Sequence, residues 1–433
     1  MSSLPPAPPV AAHSMSRIAL ASMVGTTLEW YDFMIYNTMS ALVFSQLFFP
    51  GALPMVGTLL AFSTYAVGYI SRPLGGVVFG RLGDRLGRGR VLTLTVVCMG
   101  VCTGLIAILP TYHAVGIVSP LILVMLRLVQ GIALGGEWAG AVLLGVEHGH
   151  ASRRGLHAAW AQMGPGAGTL MSTAVIACIA GMVSNAQFMA WGWRIPFALS
   201  GLLALVGLWL RHGITEPGSF EKLRRTGGIA RSPVIHLLRH HMRAVCIAAS
   251  SRIGPDVLYA LLVVFSLTYI TQVRGLPRSV ILCGMLSGSA LSLPATVGFG
   301  MLADRVGVKK LFLAAICCAL PFVCVFFPLM NTGTSTIIIV TVTVGLIVHA
   351  AMYAVQGAFI TACFPAVIRY SGSSVSYTFG SLAGGGAFAP LIMTALFRTS
   401  HPIGAIVLYV VAAFAATACG LLFCNNIDGM EHE

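Results

Sequence analysis

Residues 80–90 read Gly-Arg-Leu-Gly-Asp-Arg-Leu-Gly-Arg-Gly-Arg, and residues 300–310 read Gly-Met-Leu-Ala-Asp-Arg-Val-Gly-Val-Lys-Lys. A charged, glycine-bearing segment that recurs at half the chain length predicts a duplicated fold. Each copy lies between long apolar runs, so the duplicated unit is expected to sit in a membrane. Runs of about 20 apolar residues recur from end to end, which predicts spanning helices. Barrel strands would instead be about 10 residues of alternating polarity, a pattern this sequence lacks. Only 9% of the 433 residues are charged, against about 25% in a soluble domain. The expected fold is therefore an all-α polytopic membrane protein.

Twelve spans are predicted, at 18–45, 54–79, 91–110, 116–146, 157–184, 194–212, 243–272, 279–302, 310–330, 334–363, 372–397 and 402–424. They divide into a tail at 1–16, a six-helix half at 17–212, a basic linker at 213–242, a second half at 243–424 and a tail at 425–433. The first apolar run is not followed by an Ala-x-Ala cleavage site and reads as a retained span. Eighteen of the 25 lysines and arginines fall in one alternate set of connections. The positive-inside rule places that set, and both termini, in the cytoplasm. The net charge of +13 is thus a topology and lipid-headgroup signal, and no soluble basic domain exists for nucleic acid. The 11 cysteines are scattered without a Cys-x-x-Cys pair, so neither a metal nor a disulfide framework is expected.

Several ionisable residues lie inside spans, where a charge costs a few kcal/mol and should face the bundle interior. At 1.5 Å per residue, Glu29, Asp32, Arg127, Arg252 and Asp256 fall near the midplane, with Tyr36 one turn beyond Asp32. Glu137 falls nearer the cytoplasmic end. Buried carboxyls can gain and lose protons, and an arginine fork suits a carboxylate ligand. Proton-coupling candidates are Asp32, Glu29, Arg127, Glu137, Asp256 and His349. Substrate candidates are Arg127, Arg252, Tyr36, Trp138, Gln130, Gln356 and Tyr259. The competing reading is ion pairs that fix helix packing. Arg72, just before Pro73 and near the predicted end of span two, reads as a snorkelling side chain.

The 80–90 segment resembles the loop signature of the major facilitator superfamily, and 300–310 is its second-half echo. Arg127-Leu128-Val129-Gln130-Gly131 resembles a span-four signature associated with proton coupling. Gly25-Thr26-Thr27-Leu28-Glu29-Trp30-Tyr31-Asp32-Phe33, Gly135-Gly136-Glu137-Trp138, Trp191-Gly192-Trp193-Arg194-Ile195-Pro196-Phe197 and Arg369-Tyr370-Ser371-Gly372 are similar to the metabolite:proton symporter family, nearest to shikimate-type carriers. The likeness runs from about residue 16 to 424. It implies two six-helix halves around a central cavity. It also implies a cytoplasmic latch at Gly80, Gly83, Asp84, Arg85, Gly87, Arg88, Asp304 and Arg305, carried chiefly by Asp84 and Arg85. Val308 replaces the usual basic residue, so the second latch should be weaker. Pro255 should loosen span seven.

The expected function is proton-driven uptake of a small organic acid such as shikimate, by alternating access. The expected setting is a bacterial inner membrane, with a monomer in the lipid bilayer and no cofactor beyond the proton gradient. Antiport is the alternative, because Gly164-Pro165-Gly166-Ala167-Gly168 partly resembles an antiporter signature. A transport-inactive sensor is a third reading. No His-Glu-x-x-His or nucleophile–base pair suggests an enzyme.

Overall fold

A computed structural model describes residues 15–51, 54–211, 233–384, 388–397 and 399–424. The expected tails and most of the linker lie outside the described residues. Among those described, the chain forms twelve helical spans and no strand.

Span one joins Met15–Met39 to Ser45–Phe48 through a π-turn, and span two joins Pro54–Ile70 to Arg72–Leu86. Spans three and four are Arg88–Ile108 and Val118–His148. Span five is Arg154–Met182. Span six couples Asn185–Gly192 to Arg194–Leu210 through a 43° bend. Span seven starts at Met242–Tyr259 and continues through π-turns to Val273. Spans eight, nine and ten are Arg278–Val306, Val308–Asn331 and Ser335–Ala362. Span eleven comprises Arg369–Gly384 and Ala389–Leu396, and span twelve is Pro402–Leu422. A short helix, Pro233–His240, precedes span seven.

Two boundaries correct the sequence reading. The repeated signature is mostly helix, because span two runs to Leu86 and span eight to Val306. Only Gly87 and Gly307 turn the chain, at φ of 110° and 95°. That left-handed region is open to glycine and strained for other residues. Span six begins nine residues before the expected 194, because Trp191–Trp193 bends a helix instead of leaving one. Trp193 sits fully buried against Phe44, Phe48 and Phe197. Arg194 Nη1 donates to the Ala107 and Leu109 carbonyls, both at 2.8 Å. These lie at the end of span three, where helical carbonyls lack intrahelical partners.

The end of the bundle with the repeated signatures is called the basic end below. The halves meet mainly there. Arg72–Leu86 packs on the first segment of span eleven, and the start of span five packs on spans eight and ten. The opposite segments of spans two and eleven, Pro54–Ile70 and Ala389–Leu396, pack chiefly within their own halves.

Glycine permits the close approach at the basic end. A Cβ on Gly80 would meet Ser371 Cα at 2.9 Å, and one on Gly83 would meet the Tyr370 ring at 2.5 Å. Across the pseudo-repeat, a Cβ on Gly300 would meet the Gly155 carbonyl at 2.9 Å. Where span eleven presents Tyr370, span two presents Gly83. Where span five presents Gly155, span eight presents Ala303. The Gly83/Ala303 difference between the signatures is a volume exchange across the seam.

Candidate functional site

The seam at the basic end is closed by two matching caps. Asp84 accepts from the backbone N–H groups of Tyr370 and Ser371, at 3.1 and 2.9 Å. Asp304 accepts from those of Gly155 and Leu156, at 2.7 and 3.1 Å. Each aspartate thus caps the first turn of a helix in the other half, where the unpaired N–H groups and the macrodipole favour an anion.

The sequence reading of the latch needs one correction. Arg85 is exposed, as is Arg305, and Arg88 holds the buried position. Arg88 Nε donates to Glu147 at 3.2 Å, and its Nη2 donates across the seam to the Ala366 carbonyl at 3.1 Å. Arg369 reaches the same Glu147 at 3.5 Å from the opposite half. The reason is helical phase. Arg88 opens span three beyond the Gly87 turn and points back under span two, whereas Arg85 lies on its outer face. Val308 stands at the equivalent place in the second copy, so Asp304 keeps its cap without that guanidinium.

In the first half, a hydrogen-bonded chain links four spans. Arg127 Nη1 donates to Gln130 Oε1 at 3.3 Å, Gln130 Nε2 to Thr103 Oγ1 at 2.7 Å, and Thr103 to Asp32 Oδ2 at 2.8 Å. Ser200 donates to the other Asp32 oxygen. Asp32 and Arg127 are therefore joined through Gln130 and Thr103. Arg127 also lies over the Tyr36 ring at 4.1 Å. The Tyr36 hydroxyl pairs with Thr64 at 2.5 Å, and its ring packs on Phe44. Tyr36 thus belongs to this buried scaffold.

Arg72 does not snorkel. It is 3% exposed, meets Glu29 at 3.8 Å, and lies over Tyr69 at 4.5 Å and Phe33 at 4.9 Å. The predicted end of span two at 79 placed it shallow. With the helix running to Leu86, Arg72 is about 21 Å from the basic end.

In the second half, Arg252 Nε and Nη2 clamp both oxygens of Asp256 at 2.8–3.0 Å. The guanidinium lies over Tyr377 at 3.8 Å. Nη1 has no hydrogen-bond partner among the described residues. The backbone here is opened on purpose. Pro255 has no N–H to give the Ser251 carbonyl, and Gln356 Nε2 supplies that donor at 2.9 Å. Thr417 inserts one residue earlier, accepting from Gly254 N at 2.9 Å and donating to the Ser250 carbonyl at 2.8 Å. The span stays helical through Pro255, with its Ser250 and Ser251 carbonyls bonded by Thr417 and Gln356, and Gln356 keeps an Oε1 that has no hydrogen-bond partner among the described residues.

A ring stack closes the floor between the halves. Trp138 stacks on Tyr377 with centroids 3.7 Å apart and planes 12° apart. Trp138 Nε1 donates to Gln162 at 2.8 Å, and Gln162 donates to the Tyr353 carbonyl at 2.7 Å. The Tyr353 and Tyr377 hydroxyls pair at 3.2 Å. Glu137, beside Trp138, is 1% exposed. Against this floor lies a cavity between spans five, seven, eight and ten, lined by Gln162, Tyr259, Ser289, Ser292, His349 and Tyr353 among others. His349 lies between the rings of Tyr259 and Tyr353, at 5.2 and 5.3 Å.

Sequence reasoning missed Thr103, Gln162, Ser200, Ser289, Ser292, Tyr353 and Tyr377. Hydroxyls and amides are common in spans and cost too little to stand out. Gln162 alone gave a usable signal, as an amide beside the helix-five glycines. Those glycines have packing roles: Cβ atoms on Gly164 and Gly168 would strike Thr26 and Trp30 at 2.6 Å, and one on Gly166 would strike Ser292 at 2.9 Å.

Two six-span halves, capped together at one end and enclosing a polar cavity with buried ion pairs at mid-depth, define a multi-pass membrane transporter and not an enzyme. The sequence matches the Major Facilitator Superfamily over residues 21–390, and the chain belongs to that family. It is 41% identical to the shikimate transporter of Escherichia coli (strain K12), over 88% of this chain and 87% of that one. It is 32% identical to the inner membrane metabolite transport protein YhjE of the same organism, over 96% and 95%. The fold matches the solved proton:xylose symporter XylE at a TM-score of 0.74, with 18% identity and 94% of each chain covered.

Proposed function

We propose that this transporter carries a small hydroxylated carboxylate together with a proton, by alternating access. The cargo reading rests on the chemistry of the residues that line the seam cavity, which is narrow as it stands and must widen to admit a ligand. Its polar wall is neutral, built from Gln162, Ser289, Ser292 and His349, and Tyr353 borders both this wall and Arg252. Arg252 is clamped to Asp256 through Nε and Nη2, and its Nη1 has no hydrogen-bond partner among the described residues. A guanidinium N–H left over from that pair, beside hydroxyls and an amide, suits a ligand with one carboxylate and several hydroxyls. Shikimate, which the 41%-identical relative is named for transporting, has that chemistry.

The partners of each carboxyl group sort the proton candidates. Asp32 is held by two hydroxyls. A hydroxyl can donate to a carboxylate or accept from a carboxylic acid, so this site serves both protonation states without orphaning a group. Asp256 is clamped by a guanidinium, which cannot accept, so protonating it forfeits the pair. Asp32 is thus the proton carrier in this reading, and Arg252–Asp256 a fixed binding platform. Assigning the basic end to the cytoplasm makes this a state closed to the cytoplasm. Joint loading of Asp32 and the cavity then permits the far ends to close and the two caps to part.

Uptake of labelled shikimate into proteoliposomes tests both parts. Accumulation is expected with acid outside, lost with a protonophore, and reduced at least tenfold in Ser292→Ala combined with His349→Ala. Binding of betaines or dicarboxylates in its place would overturn the cargo reading. Accumulation driven only by acid inside would establish antiport instead.

A further inference from the structure

The helix Pro233–His240 is apolar on more than one face. Pro233, Val234 and Leu237 are buried, and the helix packs on both Arg72–Leu86 and Arg369–Gly384. Those are the two helices that the Asp84 cap joins across the seam. The neighbouring face presents Ile235 at 55% and Leu238 at 47% exposure, continued past the turn by Met242 at 43%. An eight-residue helix does not hold itself together in water, and here the apolar arc is wider than the face the bundle covers, so Ile235 and Leu238 are left without cover.

The polar residues around that face are all of one kind. His236, Arg239, His240, His241 and Arg243 surround it, with the His236 ring 4.9 Å from His240 and 5.4 Å from His241. No acidic residue occurs between Glu221 and Asp256. The helix leads directly into span seven at Met242, so it lies where the bilayer surface meets the bundle. Apolar side chains flanked by arginine at that level fit the boundary between acyl chains and anionic headgroups.

We infer that Pro233–His240 is a strap that docks on the anionic phospholipid surface and thereby steadies the closed seam. The strap is continuous with the second half and touches span two of the first. Parting of the halves must strip it from span two, and a lipid surface that holds it in place opposes that parting.

Hydrogen exchange on the full-length protein in nanodiscs tests this. Amides 234–241 should exchange more slowly when phosphatidylglycerol is added to phosphatidylcholine, and the Tyr370 and Ser371 amides should slow in parallel. Each arginine near an anionic surface contributes about a fivefold effect, so Arg239→Gln should lessen the lipid response by about that factor. Leu238→Ser should speed strap exchange in either lipid, while amides of span three stay unchanged and report an intact fold. Equal strap exchange in neutral discs, anionic discs and detergent would overturn the proposal. So would a full lipid response in Arg239→Gln, an equal slowing by inorganic phosphate in detergent, or a strap response with none at Tyr370 and Ser371.

Discussion

Replacing Asp84 by Asn removes one charge and leaves the shape of the side chain intact. The carboxylate accepts two N–H groups at 3.1 and 2.9 Å and lies 3.5 Å from Arg88. The amide oxygen of Asn can keep one of these bonds, but its NH2 faces the other N–H. A hydrogen bond to a charged group contributes about 1.5–3 kcal/mol, and the helix-terminus charge adds about 0.3–1 kcal/mol. Some loss is offset because a neutral amide is cheaper to bury. About 2 kcal/mol remains, and it exists only while the halves touch, so all of it acts on the closed-to-open ratio. That is about a 30-fold shift toward opening. Asp304→Asn removes a half-buried charge that water partly screens, and about 1 kcal/mol, or fivefold, is expected. Hydrogen exchange at the capped amides reads both: Tyr370 and Ser371 for Asp84, Gly155 and Leu156 for Asp304. Unchanged exchange at Tyr370 and Ser371 in Asp84→Asn would refute the reasoning, as would a larger effect from Asp304→Asn.

Arg88→Gln should open the basic end by about tenfold by the same readout, whereas Arg85→Gln should leave it within twofold, as expected of an exposed side chain. Asp32→Asn should abolish proton-driven accumulation while sparing exchange of substrate across the membrane; accumulation at the original level would remove Asp32 from the scheme. Gln356→Leu should cost about 1–3 kcal/mol by leaving the Ser251 carbonyl without a donor, read as a fall in thermal stability in detergent, with Gln356→Glu failing to restore it. Gly83→Ala should hinder seam closure through its clash with Tyr370, and Tyr370→Ala should relieve that clash in the double variant, measured by the same exchange at Ser371.

Much of the architecture was legible because it follows from local physics. Bilayer thickness and the cost of unpaired backbone groups force apolar helical runs, so the spans, the halves and the midplane charges can be read along the chain. The glycine and aspartate positions of the repeated signature also marked the seam. What failed was anything that depends on where a helix stops or which neighbour it meets. Charged residues in 80–90 ended span two seven residues early on paper, because hydropathy cannot tell a loop from a helix that continues out of the bilayer. That one error misplaced Arg72.

The chain by itself therefore determined a duplicated twelve-span membrane fold and the short list of ionisable residues inside it, since each is set by composition and period. Only tertiary structure decided their partners. Asp32 meets hydroxyls from spans three and six, Asp256 meets a guanidinium in its own helix, and Gln356 repairs a carbonyl that Pro255 left open on another. Those distinctions rest on side chains brought together from distant segments, and a proton's choice among buried carboxyls depends on what each one touches.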